Sequence, residues 1–324
     1  MTTMDELGRA AEVLARAPSV ALACHVNPDP DALGSMLGLA AFLHARLGTT
    51  VVCSWGNQPL APPAWIEPLV DARWIVEAKA FPRTPEVMVC LDTASSDRLG
   101  DLSAQLARAG EVIVIDHHKT NPGFGSILVL DPAASSTAEL VVRLVERMGG
   151  ELTDEAAALL YAGIVTDTGR FQYEATTPET LRVAALLRAR SFDHARLAQA
   201  LFEQSSVGYL RLLGVALGRI QLDPAANLVW TYLTQTDLSS SGVDITETDD
   251  LIDVVRTASG ADVSCVLKQQ RDGRFKVSLR SRGATDVGAI ALANGGGGHR
   301  LAAGYTSETG LEDSVNAIVQ ALTA

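Results

Sequence analysis

Aspartate and histidine residues directly follow three apolar, strand-like segments, and both residue types bind divalent metal ions. Ser19–Cys24 runs into His25-Val26-Asn27-Pro28-Asp29-Pro30-Asp31, Val87–Leu91 is followed by Asp92, and Glu111–Ile115 is followed by Asp116-His117-His118. In open α/β sheets, ligands bind beyond the carboxyl ends of the strands, so we expect these side chains to meet in one crevice. A further segment, GIVTDTGRF, adds Asp167.

The candidate metal ligands are four carboxylates and two imidazoles: His25, Asp29, Asp31, Asp92, His117 and Asp167. A single aspartate after a strand is more often a turn or cap residue, but this joint pattern favours a metal site. So many carboxylates would repel one another without cations, and their number suits two six-coordinate ions completed by water. Oxygen-rich ligation with imidazole and no thiolate favours Mn²⁺, with Mg²⁺ or Co²⁺ as alternatives. Two ions roughly 3.5–4 Å apart can share a carboxylate and a hydroxide that attacks phosphorus, and Asp92 is the candidate for the shared carboxylate.

The elements that position these residues follow from the apolar pattern of the first 170 or so residues. The predicted strands are Ser19–Cys24, Thr50–Ser54, Val87–Leu91 and Glu111–Ile115, and the predicted helices are Ala32–Leu47, Ser135–Met148 and Thr153–Ile164. This alternation is typical of a mainly parallel sheet flanked by helices, and thus of the α/β class. The two prolines keep the His25–Asp31 segment extended or turned, and Asp31 is expected to open the next helix and complement its dipole.

The remainder of the chain predicts a connector and a second domain. Residues 178–220 have a helical pattern, and residues 227–233, 261–270 and 275–281 resemble strands, with a helix-prone segment at Asp249–Ala258 and a glycine loop at Gly295–Gly298. We therefore predict a metal-binding catalytic domain over 1–190, a helical connector over 191–222 and a smaller α/β substrate-binding domain over 223–324.

Composition narrows the class of substrate. The chain has 324 residues, 47% of them apolar, and a formal net charge of −12. Proteins that coat long nucleic acids usually carry a basic face, so this charge favours a short, highly charged substrate. The four cysteines are far apart and are expected to be buried and reduced. A cytoplasmic location is expected, because there is no signal-like start and no apolar run of roughly 18 residues.

These motifs resemble those of the DHH phosphoesterase superfamily, whose name is spelled out by Asp116-His117-His118. His25-x-Asn27-Pro28-Asp29-x-Asp31 resembles its first motif, Asp92-Thr93 its second and Thr166-Asp167-Thr168-Gly169 its fourth. Gly295-Gly296-Gly297-Gly298-His299-x-x-Ala302-Ala303-Gly304 is similar to the signature of the C-terminal DHHA1 domain. The order of motifs resembles most the nanoRNase/pAp phosphatase (NrnA-like) group.

The resemblance implies an N-terminal DHH domain, a C-terminal DHHA1 domain, and a Mn²⁺-dependent hydrolase of very short oligoribonucleotides, pAp, pApA and, in some members, c-di-AMP. It assigns one Mn²⁺ to His25, Asp29, Asp92 and Asp167, and the other to Asp31, Asp92 and His117 with Asp167 or water. It places His118 either near the scissile phosphate or among the residues that support the metal ligands, and it makes Asp116 one of these supporting residues. It also implies a homodimer. Asp92, His117 and His118 are thus the candidate catalytic residues.

Candidate substrate-binding residues lie in both domains. In the second domain they are the glycine segment Gly296-Gly297-Gly298, His299, Arg280 and Ser281, because backbone N–H groups and arginines bind phosphate well. In the first domain they are Arg98, with a surface ion pair as its alternative role, and Ser135 and Ser136. The two serines are also candidates for a helix N-cap, with Glu139 completing a capping box.

Three other functions remain as alternatives. A family II inorganic pyrophosphatase shares the metal motifs, but its second domain lacks the signature found here as Gly296-Gly297-Gly298-His299, so it ranks lowest. A RecJ-type single-strand exonuclease is disfavoured by the acidic charge, since such an enzyme binds long nucleic acid. A non-catalytic sensor of a nucleotide second messenger is disfavoured by the complete ligand set, because a sensor does not need a bridging nucleophile.

Overall fold

The computed structural model describes residues 2–57 and 60–323. The chain divides into two compact units, Met1–Gln204 and Ser205–Ala324. Residues of the predicted connector, 191–222, occur in both units. Within the described ranges, no helix is both long and apolar enough to cross a membrane.

The first unit is built on a parallel sheet. Its helices and strands are α1 (Thr3–Arg16), β1 (Ser19–Cys24), α2 (Pro30–Leu47), β2 (Thr50–Trp55), β3 (Val87–Leu91), β4 (Glu111–Asp116), β5 (Ile127–Leu130), α3 (Thr137–Arg147), α4 (Asp154–Asp167), α5 (Pro178–Arg188) and α6 (His194–Phe202). The strand order is β2-β1-β3-β4-β5, and each neighbouring pair is parallel. The predicted α/β class is confirmed, although α1 and β5 were not predicted.

The two faces of this sheet pack against different layers. On β1, Val20, Leu22 and Cys24 belong to the core shared with the α-helices. Ala21 and Ala23 point to the other face and pack with 3₁₀ segments, including the long one at Ser96–Arg108. Burial on both faces explains why the strands are continuous apolar runs.

Helices α2 and α4 approach each other very closely. A Cβ added to Gly34 on α2 would lie 2.3 Å from the carbonyl oxygen of Leu159 on α4, a distance that no side chain tolerates. Glycine at position 34 therefore sets the spacing of α2 and α4, the helices that carry Asp31 and Asp167. Helix α2 begins two residues earlier than predicted, because Asp29 caps it and Pro30 occupies the first helical position, where proline is favourable.

The second unit contains a mixed sheet with helices on both faces. Its elements are α7 (Val207–Gly218), β6 (Gln221–Asp223), β7 (Leu228–Leu233), α8 (Gln235–Ser241), α9 (Leu251–Val255), β8 (Val263–Gln269), β9 (Phe275–Ser281), α10 (Val287–Ala293), β10 (Gly297–His299), β11 (Ala302–Ser307) and α11 (Leu311–Thr323). The strand order is β10-β11-β9-β8-β7-β6. Strands β7 and β8 run parallel, and the other neighbours run antiparallel.

The glycine segment differs from the predicted loop, because Gly297–His299 forms the edge strand β10 paired with Ala302–Gly304 of β11. A Cβ at Gly296 would lie 2.3 Å from the carbonyl oxygen of Gly304, and Gly298 has a φ of +138°. Close approach and backbone conformation therefore require glycine at these two positions. Gly297 has open space around it.

Candidate metal centre

The carboxyl ends of β1, β3 and β4 lie side by side, because these three strands are neighbours in the parallel sheet. His25 follows β1, Asp92 follows β3, and His117 and His118 follow β4. Asp29 and Asp31 lie at the start of α2, and Asp167 is the last residue of α4. The structure therefore brings all six predicted metal ligands together in the first unit.

Asp92 lies at the centre of the group. Its Oδ2 atom is 3.5 Å from His25 Nε2, and its Oδ1 atom is 3.7 Å from His117 Nε2. The Thr137 hydroxyl donates a hydrogen bond of 3.0 Å to Oδ1. Only 2% of Asp92 is exposed, and its φ of +53° is unusual for a residue other than glycine. The two carboxylate oxygens thus face two different imidazoles.

Asp31 is held by the start of helix α3. Its Oδ2 accepts a hydrogen bond of 2.7 Å from the Thr137 N–H, and its Oδ1 accepts one of 3.0 Å from the Ala138 N–H. Asp31 was predicted to open its own helix and complement its dipole, but Asp29 caps α2 through the N–H groups of Asp31 and Ala32. Burial, followed by the negative charges of Asp92 and Asp167, raises the pKa of Asp31 well above its usual value.

His25 joins the sheet to the Asp29 loop. Its Nε2 lies 3.7 Å from Asp29 Oδ2, and its Nδ1 lies 2.8 Å from the Val26 carbonyl oxygen. Burial alone would lower the pKa of His25, but the contacts with the Asp29 and Asp92 carboxylates outweigh it and raise this pKa to about 10. A bound metal would displace the Nε2 proton, and the contact of Nδ1–H with the Val26 carbonyl holds the ring with Nε2 directed towards the carboxylates.

Asp167 and His117 form the other side of the group. His117 Nε2 is 3.4 Å from Asp167 Oδ2, and its Nδ1 is 3.4 Å from the Ala134 carbonyl oxygen. Burial is the main cause that raises the pKa of Asp167 to about 7; His117 opposes this rise and Asp92 adds to it. Helix α4 continues to Asp167, three residues beyond the predicted end.

Asp116 and His118 form a supporting pair. Asp116 is fully buried, and its Oδ1 is 2.7 Å from His118 Nδ1. Asn121 donates a hydrogen bond of 2.7 Å to Asp116 Oδ2. Burial raises the pKa of Asp116, but the contacts with His118 and Asn121 outweigh it and hold this pKa below its usual value. Asp116 thus orients His118, whose Nδ1 is also 3.6 Å from Asp92 Oδ1.

The donor set fits divalent cations. Among the residues that the structure describes, three groups have ligand atoms within 4.8 Å of one another: His25, Asp29 and Asp92; Asp31, His117 and Asp167; and Asp92, His117 and His118. Each group offers carboxylate oxygen and imidazole nitrogen, which are ligands for divalent metal ions. Burial raises the pKa values of Asp31 and Asp167, and the charge of Asp92 raises both further, a repulsion that cations would relieve.

The predicted substrate-binding residues of the first unit differ in accessibility. Arg98 is exposed, and its Nη2 lies 2.9 Å from His25 Nδ1, at the edge of the metal group. Ser135 and Ser136 are completely buried. Ser136 caps α3, whereas Glu139 binds the Ser135 N–H and hydroxyl, so the expected capping box does not form. The structure therefore does not place the serine hydroxyls where a substrate could touch them.

In the second unit, Gly297, Gly298 and His299 are exposed, and Gly296 is half-buried. Ser281 is only 3% exposed, and its hydroxyl accepts a hydrogen bond of 3.0 Å from the Gly283 N–H, which identifies it as a residue that holds the following turn. Arg280 lies beside Asp253, with 3.8 Å between its Nε and an Asp253 carboxylate oxygen. The solvent-accessible members of the predicted substrate-binding set are thus the glycine strand (Gly296, Gly297 and Gly298), His299 and part of the Arg280 side chain.

Two asparagines near the metal group, Asn57 and Asn121, were not among the predicted site residues. Asn57, which follows β2, donates a hydrogen bond of 2.6 Å to the Asn27 side chain and accepts one from the Asn27 N–H. This pair holds Asn27 at a φ of +53°. Asn121 holds Asp116. For Asn57, the only signal in the sequence that indicated a role in the site was its position just after a predicted strand.

Comparison with known proteins places this geometry in a family. A model described as "DHH family, N-terminal domain" matches residues 19–164, and one for the DHHA1 domain matches residues 227–324. The bifunctional oligoribonuclease and PAP phosphatase NrnA of Thermus thermophilus is 36% identical over 93% of this chain and 88% of its own length. The cyclic-di-AMP phosphodiesterase GdpP of Geobacillus thermodenitrificans is 30% identical over 89% of this chain, but only 44% of its own length is covered.

A solved structure agrees with this assignment. The crystal structure of an exopolyphosphatase-related protein from Bacteroides fragilis matches with a TM-score of 0.90 and 27% identity, over 98% of this chain and 96% of that one. The two family models match the chain in the order of its two units, with the DHH model inside the first unit and the DHHA1 model inside the second. The chain therefore belongs to the DHH family and, within it, to the NrnA group, with an N-terminal DHH domain followed by a DHHA1 domain.

Proposed function

We propose that this protein is a two-metal phosphoesterase that hydrolyses short nucleotide substrates: oligoribonucleotides of a few residues, pAp and pApA, with c-di-AMP as a further candidate substrate. The observation that carries the proposal is Asp92, whose two oxygens face His25 and His117 at 3.5 and 3.7 Å. The family assignment supports the same activity, because the Thermus thermophilus relative is named as an oligoribonuclease and PAP phosphatase.

Two Mn²⁺ ions are the proposed cofactors, with Mg²⁺ or Co²⁺ as alternatives. We assign one to His25, Asp29 and Asp92, and the other to Asp31, His117 and Asp167, with Asp92 shared. When bound, such ions supply positive charge at the phosphate and lower the pKa of water into the neutral range. The chain's own contribution is to hold the ligands: α3 fixes Asp31, Val26 orients His25, and Thr137 fixes Asp92.

Removal of divalent cations tests the metal requirement. We expect chelation to abolish hydrolysis and Mn²⁺ to restore it. Because binding to the folded state alone stabilises it, Mn²⁺ at a hundred times its Kd should raise the free energy of unfolding by about 2.7 kcal/mol for each ion bound. Calorimetry of the metal-free protein with and without Mn²⁺ measures this shift. Full activity after exhaustive chelation would contradict the proposed cofactor.

A panel of substrates tests the proposed reaction. With Mn²⁺ present, we expect hydrolysis of pAp, di- to pentaribonucleotides and pApA. The rates on these substrates are compared with the rates on c-di-AMP, long single-stranded DNA and pyrophosphate. Preference for the long DNA would favour the exonuclease alternative. Tight binding of a nucleotide without turnover would favour the sensor alternative.

His299→Ala tests whether the second unit takes part in substrate binding. We propose that this exposed histidine, together with the glycine strand, binds the substrate. Loss of a hydrogen bond to a charged group costs about 1.5–3 kcal/mol, so KM should rise roughly ten- to hundredfold. The Mn²⁺-induced thermal shift should not change, because the predicted metal ligands belong to the first unit. Arg271→Ala, at an exposed turn of the same unit, is the matched control, and an unchanged KM for His299→Ala would rule out the role.

A further inference from the structure

The turn that follows Asp167 has an unusual backbone. Gly169, Arg170 and Phe171 have φ values of +55°, +61° and +65° in succession. Left-handed conformations are unfavourable for residues other than glycine, and runs of them persist only where the surroundings hold them in place. Strain of this kind is concentrated at functional sites.

Several contacts hold this turn. The Phe171 N–H donates a hydrogen bond of 3.1 Å to the Thr168 hydroxyl, and the Arg170 N–H donates one of 2.7 Å to the Val165 carbonyl. The Arg170 guanidinium lies 4.2 Å from the centre of the Phe202 ring. The Phe171 ring makes an edge contact with Tyr161, at 6.5 Å between centroids. The turn is therefore fixed on both sides of its strained residues.

This turn brings Tyr173 back onto Gly169. The Tyr173 N–H donates a hydrogen bond of 3.0 Å to the Thr168 carbonyl. A Cβ added at Gly169 would lie 2.3–2.5 Å from three carbons of the Tyr173 ring, so the ring rests directly on the glycine. Consecutive Cα atoms are 3.80 Å apart, which keeps the Gly169 Cα within about 7.6 Å of the Asp167 Cα. Tyr173 nevertheless remains 40% exposed.

We propose that Tyr173 is a stacking platform for the nucleobase next to the scissile phosphate. A tyrosine ring fixed beside a metal ligand and partly open to solvent can select nucleotides over other phosphate esters. Stacking of a base on an aromatic ring accepts any base, because every base has a flat π-face. This inference rests on the proposed function and assigns it a specificity-determining residue.

The test compares Tyr173→Ala, Tyr173→Leu and Tyr173→Phe on a diadenylate and on its abasic analogue, which keeps the sugars and phosphate. We expect Tyr173→Ala to reduce the preference for the base-containing substrate about five- to hundredfold, mainly through KM. Tyr173→Leu should behave like alanine, and Tyr173→Phe should keep most of the preference. Leu181→Ala, an exposed apolar residue on α5, is the control.

An equal loss on both substrates would overturn the stacking role and leave Tyr173 as a residue that positions the Asp167 turn. A wild-type preference for the diadenylate that survives in Tyr173→Ala would also overturn it. In either case the proposed function stands, provided that the wild-type protein hydrolyses the diadenylate in the same assay. Failure of the wild-type protein on every nucleotide would refute the proposed function itself.

Discussion

Asp92→Asn is expected to lower kcat more than about 10³-fold, because it removes the shared negative charge on which both proposed metal ions depend. Asparagine is the informative replacement. It tolerates the φ of +53° at this position, and its amide oxygen can still accept the hydrogen bond from Thr137. Alanine would also abolish turnover and lower the metal content, but it would add backbone strain of about 1–2 kcal/mol.

The same variant separates loss of metal from loss of folding. Burial and then the charge of Asp92 raise the pKa of Asp31, so Asp92 destabilises its ionised neighbour when no cation is bound. The attraction between Asp92 and the protonated His25 opposes this repulsion, so metal-free Asp92→Asn should fold with a stability close to that of the metal-free wild-type protein. It should also lose most of the stabilisation by Mn²⁺. Asp101→Asn, a nearby exposed carboxylate, is the control. An active variant that still binds two ions would refute the bridging role.

The sequence predicted the strand ends that carry the site because those signals are local. Apolar runs bounded by polar residues gave the limits of β1 and β3, and parallel strands place their carboxyl ends at one edge. His25, Asp92 and His117 could thus be assigned to one crevice without any knowledge of long-range contacts. The resemblance to DHH proteins added the expected role of each ligand.

The residues that hold the ligands could not be predicted, because their partners are distant in the sequence. Asp31 and the Thr137 N–H are 106 residues apart, and Asn27 and Asn57 are 30 residues apart. Ser135 looked like a substrate contact, but its hydroxyl is buried against Glu139. Hydrogen-bonding residues such as serine and asparagine serve caps, turns and binding sites alike, so only the three-dimensional contacts decide between these roles.

Gly163→Ala is expected to disable the metal centre without changing any ligand. A Cβ at this position on α4 would lie 2.6 Å from Asp31 Oδ1 and 2.8 Å from the Ala138 Cβ. Asp31 cannot retreat easily, because both of its carboxylate oxygens accept hydrogen bonds from the start of α3. The added methyl group must therefore displace the carboxylate or separate the helices, which costs about 1–3 kcal/mol.

Helix propensity predicts the opposite sign for this substitution, since alanine is more favourable than glycine inside a helix by about 1 kcal/mol. Gly214→Ala on α7 provides the matched control, because a Cβ there meets nothing within 4 Å and should stabilise the protein slightly. We expect Gly163→Ala to weaken Mn²⁺ binding about ten- to hundredfold, as changes behind metal ligands typically do, and to reduce kcat/KM at least as much. Titration calorimetry with Mn²⁺ and turnover of a diribonucleotide measure the two effects. Unchanged Mn²⁺ affinity in Gly163→Ala would show that Asp31 is not a ligand whose position matters, and the second metal position would then have to be assigned to His117 and Asp167 without it.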